Sequence, residues 1–131
     1  MIAELERLGC GSVAGHMVYN LAEALRQAGA LDDALAQARR AYALLRREGD
    51  QGILFDVLPH LAANRGRHEA AVRIVGYALH ARERTGIDGG AWAAWAEEGV
   101  SAALTEDVRA RLRAEGAALT EDQAFALGLA D

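Results

Sequence analysis

The chain contains the segment Leu21-Ala22-x-x-Leu25-x-x-x-Gly29-x-x-x-x-Ala34-Leu35-x-x-Ala38-x-x-Ala41, and 37 residues later the pattern returns as Leu58-Pro59-x-x-Ala62-x-x-x-Gly66-x-x-x-x-Ala71-Val72-x-x-Val75-x-x-Ala78. In each copy, apolar residues four apart mark one face of a first helix, and a glycine supplies the turn into a second helix. The second helix carries small residues that allow a close approach to the first, at Ala34, Ala41, Ala71 and Ala78. The repeat therefore predicts an all-α chain built from stacked antiparallel helix pairs.

The repeated segment resembles the tetratricopeptide repeat family, whose units have about 34 residues, over roughly Gly15 to Ala81. The resemblance implies a short right-handed solenoid of helix pairs. We expect a single domain over 1–131, with repeat 1 at 12–48, repeat 2 at 51–86 and C-terminal capping helices at 88–131. The second copy departs from the family at Pro59, where a small residue is usual.

We expect four helices in the two repeats: one from Ser12 as N-cap to Ala28, then Leu31–Glu48, Gln51–Asn64 and His68–Arg84. Gly49 and Gly86 are expected to end the second helix of each repeat. Pro59 either kinks the third helix or marks a late start after a loose first turn, because its ring removes a backbone donor and clashes with the preceding turn. We favour the kink.

Short segments flank the repeats. Ile2, Leu5 and Leu8 share one helical face before Gly9 and Gly11. After Gly86 we expect three capping helices: one near Ala91 to Ala103 that carries Trp92 and Trp95, one after Thr105, and one after Thr120. Thr120 and Gln123 form a predicted capping box. The tryptophans are expected to be buried against the last repeat.

Composition excludes several classes of function. With thirty alanines and one proline, the chain has few residues suited to a β-sheet. The net charge of -5 argues against a surface that binds nucleic acid. The one cysteine, Cys10, cannot form an internal disulfide, and no apolar run reaches membrane-spanning length. We expect a cytoplasmic protein that contacts neither nucleic acid nor membrane.

The chemistry-bearing residues do not form an enzyme signature. Gly9-Cys10-Gly11-Ser12-Val13-Ala14 matches a loose dinucleotide fingerprint, but a helical pattern precedes it where a strand is required. Cys10 and His16 could form a nucleophile and base, yet no third residue orients the histidine. Glu97 and Glu98 are adjacent on a helix and point in different directions. The four histidines are not spaced as metal ligands usually are; they are His16, His60, His68 and His80. We predict a protein without catalytic activity, cofactor or metal.

The first helix of each tetratricopeptide repeat lines a concave groove. Mapped onto this chain, the resemblance implies a groove lined by His16, Tyr19, Asn20, Glu23 and Arg26, then by Asp56, His60 and Asn64. Asn20 matches a family asparagine that clamps peptide backbone, but the equivalent position in the second repeat is Val57. A basic stripe at Arg39, Arg40, Arg46 and Arg47 could bind phosphate, although a solvated outer face is the default interpretation.

A second resemblance concerns the region after the repeats. The stretch His68 to Ala78, with Arg82 to Gly86, looks like the C-terminal helical region of large bacterial ATP-binding transcriptional regulators of the LuxR type. The ending, Ala114 to Leu127, is similar to their closing segment. The resemblance implies an interaction or assembly module in a bacterial regulator.

We therefore expect a noncatalytic module that binds a protein or peptide or associates with itself. The alternative is a sensor domain that encloses a small-molecule effector. Repeat arrays usually need three or more units, and only two are visible. We expect either that the chain is a piece of a longer protein or that self-association buries its uncovered face.

The repeat assignment can be tested by overpacking the helix pairs. Ala34→Leu or Ala71→Leu adds bulk where the second helix approaches the first, which is expected to cost about 1 to 3 kcal/mol of unfolding free energy. Thermal unfolding followed by circular dichroism measures the change. Unchanged stability in both variants would refute the assignment.

Overall fold

The computed structural model describes residues 1–9, 11–86, 92, 94, 96, 100 and 103–131. Its regular elements are α1 (Ile2–Arg7), α2 (Gly11–Gln27), α3 (Leu31–Glu48), a 3-10 helix (Gln51–Asp56), α4 (Leu58–Asn64), α5 (His68–Arg84), α6 (Glu106–Ala117) and α7 (Glu121–Gly128). The described residues contain no β-strand, which confirms the all-α prediction. Contacts within the chain divide it into two compact units, Met1–Val57 and Leu58–Asp131.

The turns inside the two helix pairs have the same backbone structure. Gly29 and Gly66 both adopt left-handed φ angles, of 82° and 79°. In each turn the glycine N–H donates to a carbonyl three residues back and the next N–H donates to one five residues back, over 3.0 and 2.9 Å in both copies. This is a Schellman motif, in which a glycine tolerates the left-handed conformation that other residues resist. The 37-residue repeat seen in the sequence is therefore also a repeat of local structure.

The first unit is built on the contact between α2 and α3. Ala34, Ala38 and Ala41 of α3 are fully buried, as their small size predicts. On α2, a side chain at Gly15 would place its Cβ only 2.6 Å from Cγ of Leu45, which is itself fully buried. Small residues on both helices therefore allow their close approach, while α1 packs on α2 and the 3-10 helix on α3.

Two predicted helix boundaries in this region are wrong. Helix α2 begins at Gly11, so Ser12 lies in its first turn rather than at the N-cap, and the Ser12 hydroxyl donates to the Asp50 carboxylate. The expected third helix is divided: residues 51–56 form the 3-10 helix, and α4 begins only at Leu58. Pro59 occupies the first turn of α4, where its missing N–H would have no helical acceptor. The late start, and not the favoured kink, accounts for the proline.

The second unit is held by a close contact between α5 and α6. A Cβ added to Gly76 would overlap with the carbonyl group of Arg113 and lie 2.7 Å from its Cα. A Cβ added to Gly116 would overlap with the carbonyl group of Arg73 and lie 2.9 Å from its Cα. The two helices thus touch backbone to backbone through a reciprocal pair of Arg-x-x-Gly segments, 73–76 and 113–116. Beside the contact, Arg73 Nε donates to Glu115 Oε2 at 3.0 Å.

The remaining C-terminal predictions have mixed outcomes. The capping box at the start of α7 is confirmed, because the Gln123 N–H donates to Thr120 Oγ1 and the Thr120 N–H donates to Gln123 Oε1. Trp92 is partly buried against a cluster that includes Val75 of α5, with the Arg82 guanidinium 4.6 Å above its ring. Of the helix predicted near Ala91 to Ala103, Ala94 and Ala96 are also helical, and Ala96 and Val100 are buried in the same cluster. Trp95 and the two glutamates 97 and 98 lie outside the described residues, as does Cys10.

Gly116→Ala tests whether the backbone contact holds the second unit together. Although alanine favours a helix over glycine, the added methyl group must push α5 and α6 apart, and we expect a net loss of about 1 to 3 kcal/mol. Thermal unfolding by circular dichroism measures the loss. Gly52→Ala is the matched control, since a Cβ at Gly52 meets no atom within 4 Å. Equal stability of the two variants would contradict the interpretation.

Candidate binding surface

One face of α2 carries a row of polar side chains. His16, Tyr19, Glu23 and Arg26 follow one another at spacings of three or four residues, which places them along a single helical face. Arg26 donates from Nε to Glu23 Oε2 at 2.8 Å and from Nη2 to Glu23 Oε1 at 2.6 Å. This bidentate hydrogen bond raises the pKa of Arg26, and Gln27 donates to the same carboxylate at 3.0 Å. Both charged groups of the row are therefore fixed in place by each other.

Tyr19 lies at the centre of the row and is partly buried. Burial raises the pKa of Tyr19, and the nearby carboxylates of Asp56 and Glu23 raise it further because a phenolate would be repelled by them. Asp56 comes from the end of the 3-10 helix, so a second element adds to the surface that α2 presents. At one end of the row, His16 Nδ1 is 2.7 Å from the Ser12 carbonyl oxygen, within the helix itself.

The structure thus brings some of the residues predicted for the groove close to one another. Within the first unit, Tyr19, Glu23, Arg26 and Asp56 form one polar cluster. Asn20 is exposed and borders the row, four residues after His16 and three residues before Glu23. His60 and Asn64 belong to α4 in the second unit, four residues apart on one face of that helix. The groove as a whole stays a prediction.

An apolar stripe on α2 was missed by the sequence analysis. Val13, Met17 and Leu21, spaced four residues apart, are 53, 38 and 41% exposed. Ala24 continues the stripe and is also exposed. We call these four residues the α2 stripe. A signal was present in the sequence: residues 8–22 contain no Asp, Glu, Lys or Arg, which makes them the longest uncharged run in the chain.

The repeat itself shows that the α2 stripe is unusual. Adding 37 to Met17, Leu21 and Ala24 gives Leu54, Leu58 and Leu61, and all three of these leucines are fully buried. Within the second unit, Gly128 of α7 lies so close to Leu58 that an added Cβ would be 3.1 Å from the leucine Cδ1. Leu54 belongs to the 3-10 helix and Val13 corresponds to the exposed Asp50, so the comparison of helical faces is limited to two positions. On α4 the equivalents of Leu21 and Ala24 are buried, whereas Leu21 and Ala24 themselves are exposed on α2.

The other candidate features give less support for a functional site. The predicted basic stripe of α3 is exposed, and one of its members, Arg46, stands 5.6 Å from the centre of the Tyr42 ring. Arg46 and Arg47 lie in the last turn of α3, where positive charges interact favourably with the helix dipole. Among the residues that the structure describes, no three His, Asp, Glu or Cys side chains are grouped so that they could hold a metal ion. In the same residues, no helix combines the length and apolarity needed to cross a membrane.

Comparisons with protein-family models, curated proteins and solved structures found no match for this chain. Both family resemblances inferred from the sequence stay predictions.

The electrostatic environment of Tyr19 can be tested by titration. Asp56→Asn removes a negative charge near the phenol, so we expect it to lower the pKa of Tyr19 toward the ordinary value of about 10. Tyrosinate absorbance measures the pKa in a Tyr42→Phe, Tyr77→Phe background, in which Tyr19 is the last of the three tyrosines. Asp122→Asn is the control, because Asp122 raises the pKa of Tyr77 instead. An unchanged pKa in Asp56→Asn would contradict the proximity of the two groups.

The sign of the accompanying stability change follows from the raised pKa. Above about pH 10 the unfolded chain loses the phenol proton that the folded chain still holds. Stability is therefore expected to fall as the pH rises from that value through the pKa of folded Tyr19. Because Asp56→Asn lowers the pKa of folded Tyr19, we expect it to narrow the pH range over which stability falls.

Proposed function

We propose that this chain is a noncatalytic helical-repeat module that binds a protein or peptide through the exposed surface of α2. The observation that carries the proposal is the composite character of that surface. A row of fixed polar side chains, which includes a half-buried tyrosine and a bidentate ion pair, runs along the same helix as the exposed α2 stripe. Apolar area supplies affinity in protein interfaces, and a polar border with tyrosine and arginine supplies specificity.

The repeated turn structure supports a finer description of the fold. Two helix pairs with equivalent Schellman turns and buried alanines on their second helices are what a tetratricopeptide-like solenoid requires. We propose this arrangement for the chain, with its later helices as a cap. The role of a C-terminal module in a bacterial transcriptional regulator rests on the sequence resemblance alone and is proposed on that basis. The proposed cytoplasmic location rests on the composition of the sequence.

The alternative function, a sensor for a small-molecule effector, remains a hypothesis. The features that favour macromolecular binding are the length and openness of the α2 surface. The stripe from Val13 to Ala24 extends over about 16 Å of helix, and apolar side chains along it are exposed rather than enclosed. A small-molecule site is expected to be concave and to bury most of its ligand.

Substitution of Tyr19 tests the proposal. The immobilised chain is incubated with lysate of its source organism, the captured proteins are identified, and the affinity of each is measured by titration. We expect Tyr19→Ala to weaken binding by about tenfold or more, because truncation of a central interface tyrosine commonly costs more than 1 kcal/mol.

Tyr42→Ala provides a matched control, since Tyr42 is also half-buried and lies in the same unit, on α3. Circular dichroism verifies that both variants keep their helix content. Equal loss of binding in the two variants, or no specific capture by the native chain, would count against the proposed function.

A further inference from the structure

We propose that the α2 stripe is the contact surface for a second copy of this chain, and that the two α2 helices pair antiparallel about Met17. The inference rests on the proposed interaction function and names one partner for it. Four properties of the first unit support it: the burial pattern of the repeat, the spacing of the stripe, its charge and its size.

The burial pattern of α4 favours a helix as the partner of the stripe. On α4, the equivalents of Leu21 and Ala24 are Leu58 and Leu61, and both are fully buried. Gly128 of α7 lies beside Leu58 and Ile74, and its lack of a side chain permits this close approach. The stripe of the first copy likewise includes a small residue, since Ala24 follows its three larger side chains. A helix is therefore the element that this face accommodates.

The spacing of the stripe makes it complementary to itself. Val13 and Leu21 lie four residues before and four residues after Met17. If two copies of α2 cross in opposite directions at Met17, then Val13 of one copy faces Leu21 of the other, and the two methionines meet on the two-fold axis. Such an isologous contact closes with two subunits, so it gives a dimer and not a filament. Methionine suits the central position because its flexible side chain adapts to irregular gaps.

The distribution of charge also favours a second copy of the chain as the partner of the stripe. The chain has a formal net charge of -5, so most of its surface repels a second copy at long range. Residues 8–22 form the exception, because they contain no Asp, Glu, Lys or Arg. The first charged residue that follows, Glu23, is paired with Arg26 on its own helix. Two α2 helices can therefore meet without burying an unpaired charge. By contrast, two copies of α3 would bring four exposed arginines against four others.

The size of the stripe predicts the strength of the dimer. A standard stable interface covers about 800 Å² on each partner. The stripe is about 16 Å long on a helix about 10 Å wide, which gives a smaller contact, even though Met1 and Leu8 on either side of α1 are also 80 and 63% exposed. We therefore expect a weak, reversible dimer with a dissociation constant on the order of 100 µM to 1 mM.

Light scattering after size exclusion tests the dimer with the purified chain, over about a hundredfold range of loading concentration that brackets this value. The apparent mass is expected to rise toward twice the monomer mass at high concentration. Met17→Glu places two carboxylates against each other on the two-fold axis, so we expect it to raise the dissociation constant at least about tenfold. Ala43→Glu is the matched control, because it puts the same charge on an exposed alanine of α3 and is expected to leave the dimer intact.

Disulfide crosslinking tests the antiparallel geometry in a Cys10→Ser background. Val13→Cys and Leu21→Cys chains mixed in equal amounts are expected to form mainly the mixed dimer. Each variant alone is expected to crosslink poorly, since identical positions in an antiparallel pair lie about 12 Å apart along the helix axis. Met17→Cys alone is expected to crosslink efficiently.

The outcomes separate this inference from the proposed function. A monomer at every concentration, a dimer that tolerates Met17→Glu, or efficient crosslinking of Val13→Cys with itself would each overturn the inference. A monomeric chain that still captures a protein in a Tyr19-dependent manner would leave the proposed function standing with a different partner. A Met17-dependent dimer that captures no other protein would support the inference and would count against the binding of a different partner that the capture experiment tests.

Discussion

The backbone contact between α5 and α6 is the constraint on which the second unit depends. Because Gly76 and Gly116 have no side chains, each helix reaches the carbonyl groups of the other, closer than any other residue would permit. This approach brings Val75 and Leu112 into one buried cluster with residues of α4. Helix α5 also packs against α4 and α7, so its position determines where both of those helices can lie. The ion pair between Arg73 and Glu115 is largely exposed and adds little by comparison.

The parts of the fold that could be predicted are those that depend on local chemistry. A glycine at the end of a helix adopts a left-handed conformation whatever surrounds it, so Gly29, Gly66, Gly49 and Gly86 marked the turns correctly. The capping box at Thr120 is equally local. Pro59 was harder, because a proline permits either a kink or a new helix start, and the choice depends on how the preceding residues pack. Here Leu54 and Phe55 are buried in a 3-10 helix, which leaves the α-helix to begin at Leu58.

The contact between α5 and α6 could not be predicted from the repeat because it joins a repeat helix to a helix outside the pattern. A weaker signal was available. Glycine within a helix costs about 1 kcal/mol relative to alanine, so an interior glycine calls for a packing reason. Gly76 and Gly116 both lie inside helices, each three residues after an arginine. That similarity is consistent with a reciprocal contact, but sequence alone does not say which two glycines meet.

The candidate site illustrates the same division between local and tertiary information. Helical periodicity was sufficient to place His16, Tyr19, Glu23 and Arg26 on one face of α2, and the ion pair within that row is an i, i+3 contact. The exposure of Met17 and Leu21 was not predictable, because the pattern that places apolar residues at these positions is the same in both copies of the repeat. In the second copy the pattern corresponds to fully buried leucines, whereas in the first it corresponds to an open stripe. A repeat pattern specifies which face of a helix is suited to a neighbour, and only the tertiary structure shows whether that neighbour is present. The difference between the two copies is therefore the strongest physical reason to look for the function of this chain on α2.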